Sequence, residues 1–384
     1  MLLFSSKEPK NYYRELIFNN KKGFYPPGIL LFVSLFLLFQ NGRTQGLSAK
    51  NSQTFLFPIV TRSLETGWNF GVLTTRLFSI YPEDTLSRRS NLVLLAMAST
   101  RKQVLFALNG TQYFKNERFI LEEQVSTSLF PDRFWGLGSG TKDEQEENYS
   151  FRQAYLMLHG RKKIAPSLFA GLVFEAQKVW DINYLSGGVF EASNIAGKSG
   201  YFISGIGGSL SFDNRNNAFA PNKGNFLQVF WNHFDRFWGS DFIYDNLITD
   251  FRTYLPVGRQ SVLALQWVNF MTFGDQIPLR SLANFGGASK MRGYYEGRFR
   301  DRNQMYVQGE IRYPIYRFIQ GVCFAGMGSV APSLKDYSIQ QLKYSAGAGL
   351  RLMLSKKEKL SIRIDYGIGM GRNRGLYLQL GEAF

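Results

Sequence analysis

One cysteine and two histidines are all that 384 residues offer a metal or a redox reaction. A single thiol excludes a disulfide framework, and the three side chains together leave little for a Cys/His metal site, so no cofactor or metal is expected. Cys323 sits inside a strand pattern, which excludes it as the lipid-accepting cysteine of an export signal. Acidic residues are outnumbered, 29 against 45 Lys and Arg, for a formal net charge of +16. That balance raises nucleic acid as a partner. The cations are spread along the chain instead of forming a basic stripe, however, and no nucleic acid is expected.

Long apolar runs are missing, with one exception. Gly28 to Phe39 (GILLFVSLFLLF) follows Lys21, Lys22 and the turn-like Pro26-Pro27. Its twelve residues fall short of the ~20 that a helix needs to cross a bilayer, and they fit the apolar core of a signal peptide. Thr44-Gln45-Gly46 supplies small residues for cleavage, which makes 1-46 the signal peptide, 47-53 a short periplasmic lead and 54-384 the folded unit. The stretch before the apolar core is long and allows a start downstream of Met1. Residues 1-46 hold six basic and two acidic residues, so the processed chain would carry 16 − 4 = +12.

What is plentiful is aromatic side chains, 16% of the chain with 35 Phe and 20 Tyr, at a mean hydropathy of −0.18. A transmembrane barrel produces this mixture, because lipid-facing residues alternate with polar ones that face the lumen. In Asn303 to Tyr313, Asn303, Met305, Val307, Gly309, Ile311 and Tyr313 share one face, and Gln304, Tyr306, Gln308, Glu310 and Arg312 the other. Leu360, Ile362, Ile364, Tyr366, Ile368 and Met370 repeat the pattern opposite Ser361, Arg363, Asp365, Gly367 and Gly369. Lipid must lie on one side only, since a basic residue facing the bilayer midplane costs ~2–4 kcal/mol.

Sixteen such strands are expected at 54–62, 67–78, 91–99, 103–113, 118–129, 150–160, 164–176, 201–212, 224–234, 242–255, 260–272, 302–314, 317–327, 342–354, 359–371 and 375–384. The first has the poorest pattern, but parity requires it if both ends of the barrel chain lie in the periplasm. Connections at 313–317, 354–359, 255–260 and 159–164 are tight, whereas 130–149, 177–200 and 273–301 are long, the asymmetry of periplasmic turns and extracellular loops. The tight Ser99 to Gln103 connection on the extracellular side breaks this rule. The expected fold is all-β, a 16-stranded antiparallel transmembrane β-barrel in a bacterial outer membrane, with phospholipid and lipopolysaccharide around it. The last strand, GLYLQLGEAF, sets Leu376, Leu378, Leu380 and Phe384 at alternate positions, interrupted by Glu382. This ending resembles the assembly signal of outer-membrane proteins, carried here by Phe384, Leu380 and Leu378, and implies the barrel-assembly machinery as a partner during biogenesis.

Residues 285–316 read FGGASKMRGYYEGRFRDRNQMYVQGEIRYPIY. This resembles the signature of the superfamily containing BamA, TamA and FhaC, the bacterial surface antigen family. There an Arg-Gly-Phe/Tyr tripeptide lies at the tip of a long extracellular loop folded into the lumen. Further resemblance lies in Pro58 to Gly71, Phe134 to Gly138 (FWGLG), Ser211 to Gly224 (SFDNRNNAFAPNKG) and Asp250 to Pro256 (DFRTYLP). Family members usually carry periplasmic POTRA domains of about 75 residues before the barrel. Too few residues separate signal and first strand for any independent core, so a barrel-only branch is expected.

The resemblance implies that Arg292, Gly293 and Tyr294 form the lumen loop motif and that Glu310, on the polar face of the next strand, pairs with Arg292. A desolvated arginine needs such a partner, and its planar guanidinium suits a carboxylate. The family's second acid falls on Gly326, so Asp365 is the expected substitute. Other candidates fail. His159 is placed at a periplasmic turn and His233 near the outer end of a strand, too far apart for one metal or one Ser-His site. The runs GIGG and GIGMG open no helix and read as strand glycines, not a dinucleotide fingerprint. The acidic run Asp143 to Glu147 reads as a solvated loop. No enzyme is expected. The resemblance implies a machine that inserts or translocates polypeptide, or lipid, with a weak seam between first and last strands and a separate periplasmic partner. The alternative is an accessory barrel that scaffolds loops or a partner protein.

Overall fold

A computed structural model describes residues 52–384 apart from 64–66, 85–86, 101, 218–219, 259 and 356–359. The proposed signal peptide and residues 47–51 of the periplasmic lead lie outside these residues, and the last two of the lead, Ser52 and Gln53, already belong to the first strand. The elements are β1 (Ser52–Ser63), β2 (Gly67–Phe78), β3 (Ser90–Ser99), β4 (Val104–Tyr113), β5 (Phe119–Phe134), β6 (Glu147–Ala165), β7 (Leu168–Asn183), β8 (Tyr201–Asp213), β9 (Gly224–Phe234), β10 (Tyr244–Val257), β11 (Ser261–Phe273), β12 (Ala283–Phe285), β13 (Phe299–Asp301), β14 (Asn303–Tyr316), β15 (Ile319–Ala331), β16 (Lys343–Ser355), β17 (Leu360–Gly369) and β18 (Arg374–Leu380). All except β12 and β13 form one 16-stranded antiparallel sheet in sequence order, the transmembrane barrel. β12 and β13 pair with each other inside the long loop between β11 and β14.

Alternation of burial along each strand separates lumen from lipid. In β14, Gln304, Tyr306, Gln308, Glu310 and Arg312 are buried while Met305, Val307, Ile311 and Tyr313 are exposed. The register of β14 against β15 puts Glu310 opposite Phe324, and that of β16 against β17 puts Arg351 opposite Arg363. Like charges directly across a ladder repel. Both arginines are tolerated because Asp365 of β17 reaches each of them and Glu382, beyond β18, also reaches Arg351.

Five strands depart from the sequence expectation by four residues or more at an end; among them β7 spans Leu168–Asn183 instead of 164–176, and β15 runs on to Ala331 instead of 327. β5 continues through Pro131 to Phe134 and β6 begins at Glu147, because Asp132, Phe134, Tyr149 and Phe151 keep the alternation and bury themselves in the lumen. β6 also runs on to Ala165, so its turn lies at Pro166 and Ser167, beyond the expected 159–164. The strand expected over 375–384 stops at Leu380. Gly381 takes φ +76, a left-handed conformation that suits glycine, and turns the tail out of the wall.

Candidate functional site

The loop of 274–302 turns back into the barrel, and its backbone approaches β17 closely enough to require glycine on both sides. A Cβ at Gly293, where φ is +118, would lie 2.7 Å from the amide nitrogen of Gly369, and one at Gly367 would lie 2.6 Å from the carbonyl carbon of Arg292. The glycine run that offered no nucleotide fingerprint is therefore the landing strip for the loop. Gly293 donates its N–H to the Tyr377 hydroxyl at 2.8 Å.

This placement delivers Arg292, 1% exposed, to two carboxylates. Its Nη2 donates to Glu310 Oε2 at 2.7 Å and its Nη1 to Asp365 Oδ2 at 2.6 Å. The guanidinium carbon stands 3.6 Å from the Phe324 ring centroid, a cation–π contact made strong by desolvation. Glu310 and Asp365 are themselves buried and the structure brings both to the arginine. At Gly326 a Cβ would meet the Met291 sulfur at 3.0 Å. Met291, with the Gln308 Cβ also at 3.0 Å, thus occupies the space that an acid on β15 would need, and β17 supplies the second carboxylate instead.

Tyr294 completes the motif. It packs edge-on against Phe285 and Phe299, donates from its hydroxyl to the Tyr344 carbonyl at 2.8 Å and accepts from the Met370 N–H at 2.8 Å. Burial pushes the hydroxyl above its ordinary pKa, against the smaller opposing pull of the Met370 N–H, so it remains a donor.

The charge network extends further than sequence reasoning found. Arg351 bridges Asp365 Oδ1 at 2.5 Å and Glu382 Oε2 at 2.7 Å. Arg312 joins Glu310 Oε1 at 2.7 Å, the Phe384 main-chain oxygen at 2.9 Å and the Pro221 carbonyl at 3.2 Å. Arg363 reaches the Ala288 carbonyl of the loop at 3.0 Å and Asp365 at 3.6 Å. The tail after Gly381 is thereby drawn inside. Phe384 is 5% exposed and packs on Tyr254, Val262 and Ala264 of the inner wall. It does not continue the outward apolar series of Leu376 and Leu378, which corrects the simple alternation read from GLYLQLGEAF. Leu380 closes β18, and its side chain lies outside the described residues. Glu382, which interrupted that series, is the residue that anchors the tail.

The outer half of the loop has separate anchors. Arg300 donates to Asp132 Oδ2 at 2.8 Å, Tyr295 donates to Asp132 Oδ1 at 2.9 Å, and Arg298 contacts Asp143 at 2.8 Å. Gly138 donates its N–H to the Arg300 carbonyl at 2.8 Å, so FWGLG and RFRD meet. Asp143, read from sequence as part of a solvated run, is half of this contact. Asp132, Arg298, Arg300, Arg351 and Glu382 went unassigned in the sequence. For Arg298, Arg300 and Glu382 the signal was the charged RFRDRN and GEAF matches; Asp132 and Arg351 lie outside any motif.

His159 is a correction. It lies within β6 and is buried, with Nδ1 3.1 Å from Glu122 Oε2 and Nε2 2.7 Å from Ser209 Oγ. A Ser-His pair therefore does exist, in the hydrolase order of atoms, because β6 is longer than the sequence suggested. Glu122 is also bound by Arg161, and the imidazole lies against Phe230. The flanking backbone amides are committed to the sheet ladders, so no pair of them converges on Ser209 to hold an oxyanion. His233 lies on β9 beside Asp245, away from this relay.

The Omp85 superfamily domain matches residues 137–384. Among solved structures, BamA from Haemophilus ducreyi lacking POTRA domains 1–3 is similar, at 14% identity over 94% of this chain and 79% of that one, with a TM-score of 0.55. CdiB from Acinetobacter baumannii is 12% identical over 88% of this chain and 60% of that one, with a TM-score of 0.57, and CdiB from Escherichia coli 11% over 88% and 63%, with a TM-score of 0.54. The chain thus spans about three fifths of either CdiB. A comparison with curated proteins found no match. The loop motif lies wholly inside the matched residues, and this chain, an outer-membrane barrel, belongs to the Omp85 superfamily.

Proposed function

We propose that the chain assists insertion or translocation of polypeptide, or of lipid, across the outer membrane, without catalysing a covalent reaction. The observation that carries this reading is Arg292, held between Glu310 and Asp365 at the tip of an inward loop. A lumen filled by a loop on ionic anchors can be opened by exchanging those ion pairs, whereas a packed apolar plug offers no such release. The seam between β1 and β18 supports the same reading. β1 has 12 residues and β18 only 7, so even a closed seam leaves backbone groups of β1 without a partner on β18. Unpaired edge groups can template an incoming strand. A separate periplasmic partner would deliver the substrate, and the barrel-assembly machinery would insert this barrel in its turn. Lipopolysaccharide would surround its outer half.

The test is reconstitution into liposomes with an unfolded small barrel protein as substrate, scored by protection of the substrate from protease. The wild-type barrel should speed insertion, and Arg292→Ala should remove most of that gain while remaining inserted itself. The second reading, an accessory scaffold, draws on the contacts of Arg298 and Arg300 with the strand and loop around 132–143, which stiffen the outer face. No acceleration by the wild type with any periplasmic fraction added would favour it.

A further inference from the structure

The periplasmic turns β4–β5 and β6–β7 stand side by side, tied by the Lys163 N–H donating to the Arg118 carbonyl at 2.9 Å. Between them they expose Lys115, Arg118, Lys162 and Lys163. None of the four is in an ion pair among the described residues. Of the nearby acids, Glu117 is spent on Arg88, whose Nε and Nη2 both reach it at 2.8 Å, and Asp84 accepts from the Asn116 N–H at 2.7 Å and the Ser87 N–H at 3.1 Å. Burial opposes ionisation of Glu117, but hydrogen bonds and charge from Arg88, with a smaller contribution from the charge of Lys163, outweigh it and hold the carboxyl below its usual range. It therefore remains an anion already matched by its own cation.

Lys162 leaves the outer wall, directly opposite Phe119 in the β5–β6 register. The Phe119 ring lies over Gly160, where a Cβ would come within 3.1 Å of it. Phe119, Ile164 and Leu172 are 39%, 53% and 68% exposed and mark the lower edge of the apolar band. Long basic side chains at such an edge lay their stems on apolar surface and carry the charge to the headgroup level. The extracellular turn β5–β6 differs, since its Lys142 is followed by Asp143, Glu144 and Glu146.

We propose that these two turns bind the phosphate headgroup of an anionic phospholipid in the periplasmic leaflet, with Lys162 and Arg118 flanking the phosphate and Phe119, Ile164 and Leu172 against the acyl chains. A lipid fits better than a periplasmic protein because Lys162 emerges among lipid-facing side chains on the flank of the barrel. The site does not depend on the insertion reading.

Native mass spectrometry of the detergent-extracted barrel, offered equal phosphatidylglycerol and phosphatidylcholine, tests this. The wild type should retain phosphatidylglycerol about thirtyfold over phosphatidylcholine, the scale expected when two cations engage one headgroup at about 1 kcal/mol each. The combined Lys115→Gln, Arg118→Gln, Lys162→Gln and Lys163→Gln variant should bring the ratio near one, and extracellular Lys142→Gln with Lys198→Gln should leave it unchanged. Heat-modifiable migration of each variant verifies that its barrel has formed. Equal retention by the wild type would overturn the proposal, as would a preference that survives the fourfold variant. Displacement of the lipid by millimolar inorganic phosphate would also overturn it, in favour of a free-anion site. Loss of a co-purifying acidic protein from the variant with the lipid preference intact would reassign the patch to a protein partner.

Discussion

At the scale of single residues, the distribution of partners decides what each substitution costs. Glu310 is shared by Arg292 and Arg312, with Arg351 at 3.9 Å, whereas Arg292 has two acids that each keep another arginine when it is removed. Glu310→Ala weakens the pairing of two buried arginines at once, leaving Arg292 with Asp365 and Arg312 with Glu382 at 3.6 Å, and should cost about 3–5 kcal/mol of barrel stability. Arg292→Ala should cost less, about 1–3 kcal/mol, while freeing the loop. Guanidinium unfolding of lipid-reconstituted protein would rank them, and the reverse order would mean that Arg292 is the hub. Met291 gives a sharper case. Gly326→Asp restores an acid at the family position but drives its Cβ against the Met291 sulfur at 3.0 Å, so alone it should loosen the loop. Paired with Met291→Ala it should loosen the loop less, the Gln308 Cβ at 3.0 Å remaining in the way, and equal loosening with and without the second change would refute the part assigned to Met291. Ser209, despite its bond to His159, should resist a fluorophosphonate probe. Labelling that vanishes in Ser209→Ala would show a nucleophile where the ladder geometry provides no oxyanion donors.

At the scale of elements, the tail and the loop are joined through shared arginines. Arg351 touches Asp365 and Glu382, and Arg312 touches Glu310 and the Phe384 oxygen, so the inward loop and the end of β18 meet in one set of buried charges. Glu382→Gln should therefore expose both segments to protease in intact membranes, while a change confined to the tail would show that they are uncoupled. Much of this was legible in sequence. Period-two alternation located all sixteen barrel strands, and the motif put Arg292, Glu310 and Asp365 in reach of one another. The tail was not legible, because GLYLQLGEAF keeps an outward period through Leu378 and the decision to turn inward rests on Gly381 and on arginines 31 and 70 residues away in sequence from Glu382. His159 was misplaced for a related reason. Lys162, Lys163 and Ile164 look like a turn but continue β6 to Ala165, where exposure at the membrane edge tolerates charge.

At the scale of the whole molecule, a sixteen-stranded wall with a buried polar network should hold its shape in detergent until boiled. Unboiled protein from outer-membrane fractions should migrate faster on a gel than boiled protein, and a single band position would contradict a closed barrel. The central claim is narrower: Arg292 keeps the loop inside the lumen. It can be read in intact cells from the labelling of an introduced Ala288→Cys by a membrane-impermeant maleimide, in a background where the native thiol is removed by Cys323→Ser. Ala288 is 2% exposed and its carbonyl accepts from Arg363, so the introduced thiol should be protected. Adding Arg292→Ala should raise the labelling rate at least about tenfold, the effect of losing roughly 1.4 kcal/mol of holding energy. Equal rates with and without the arginine would contradict the account.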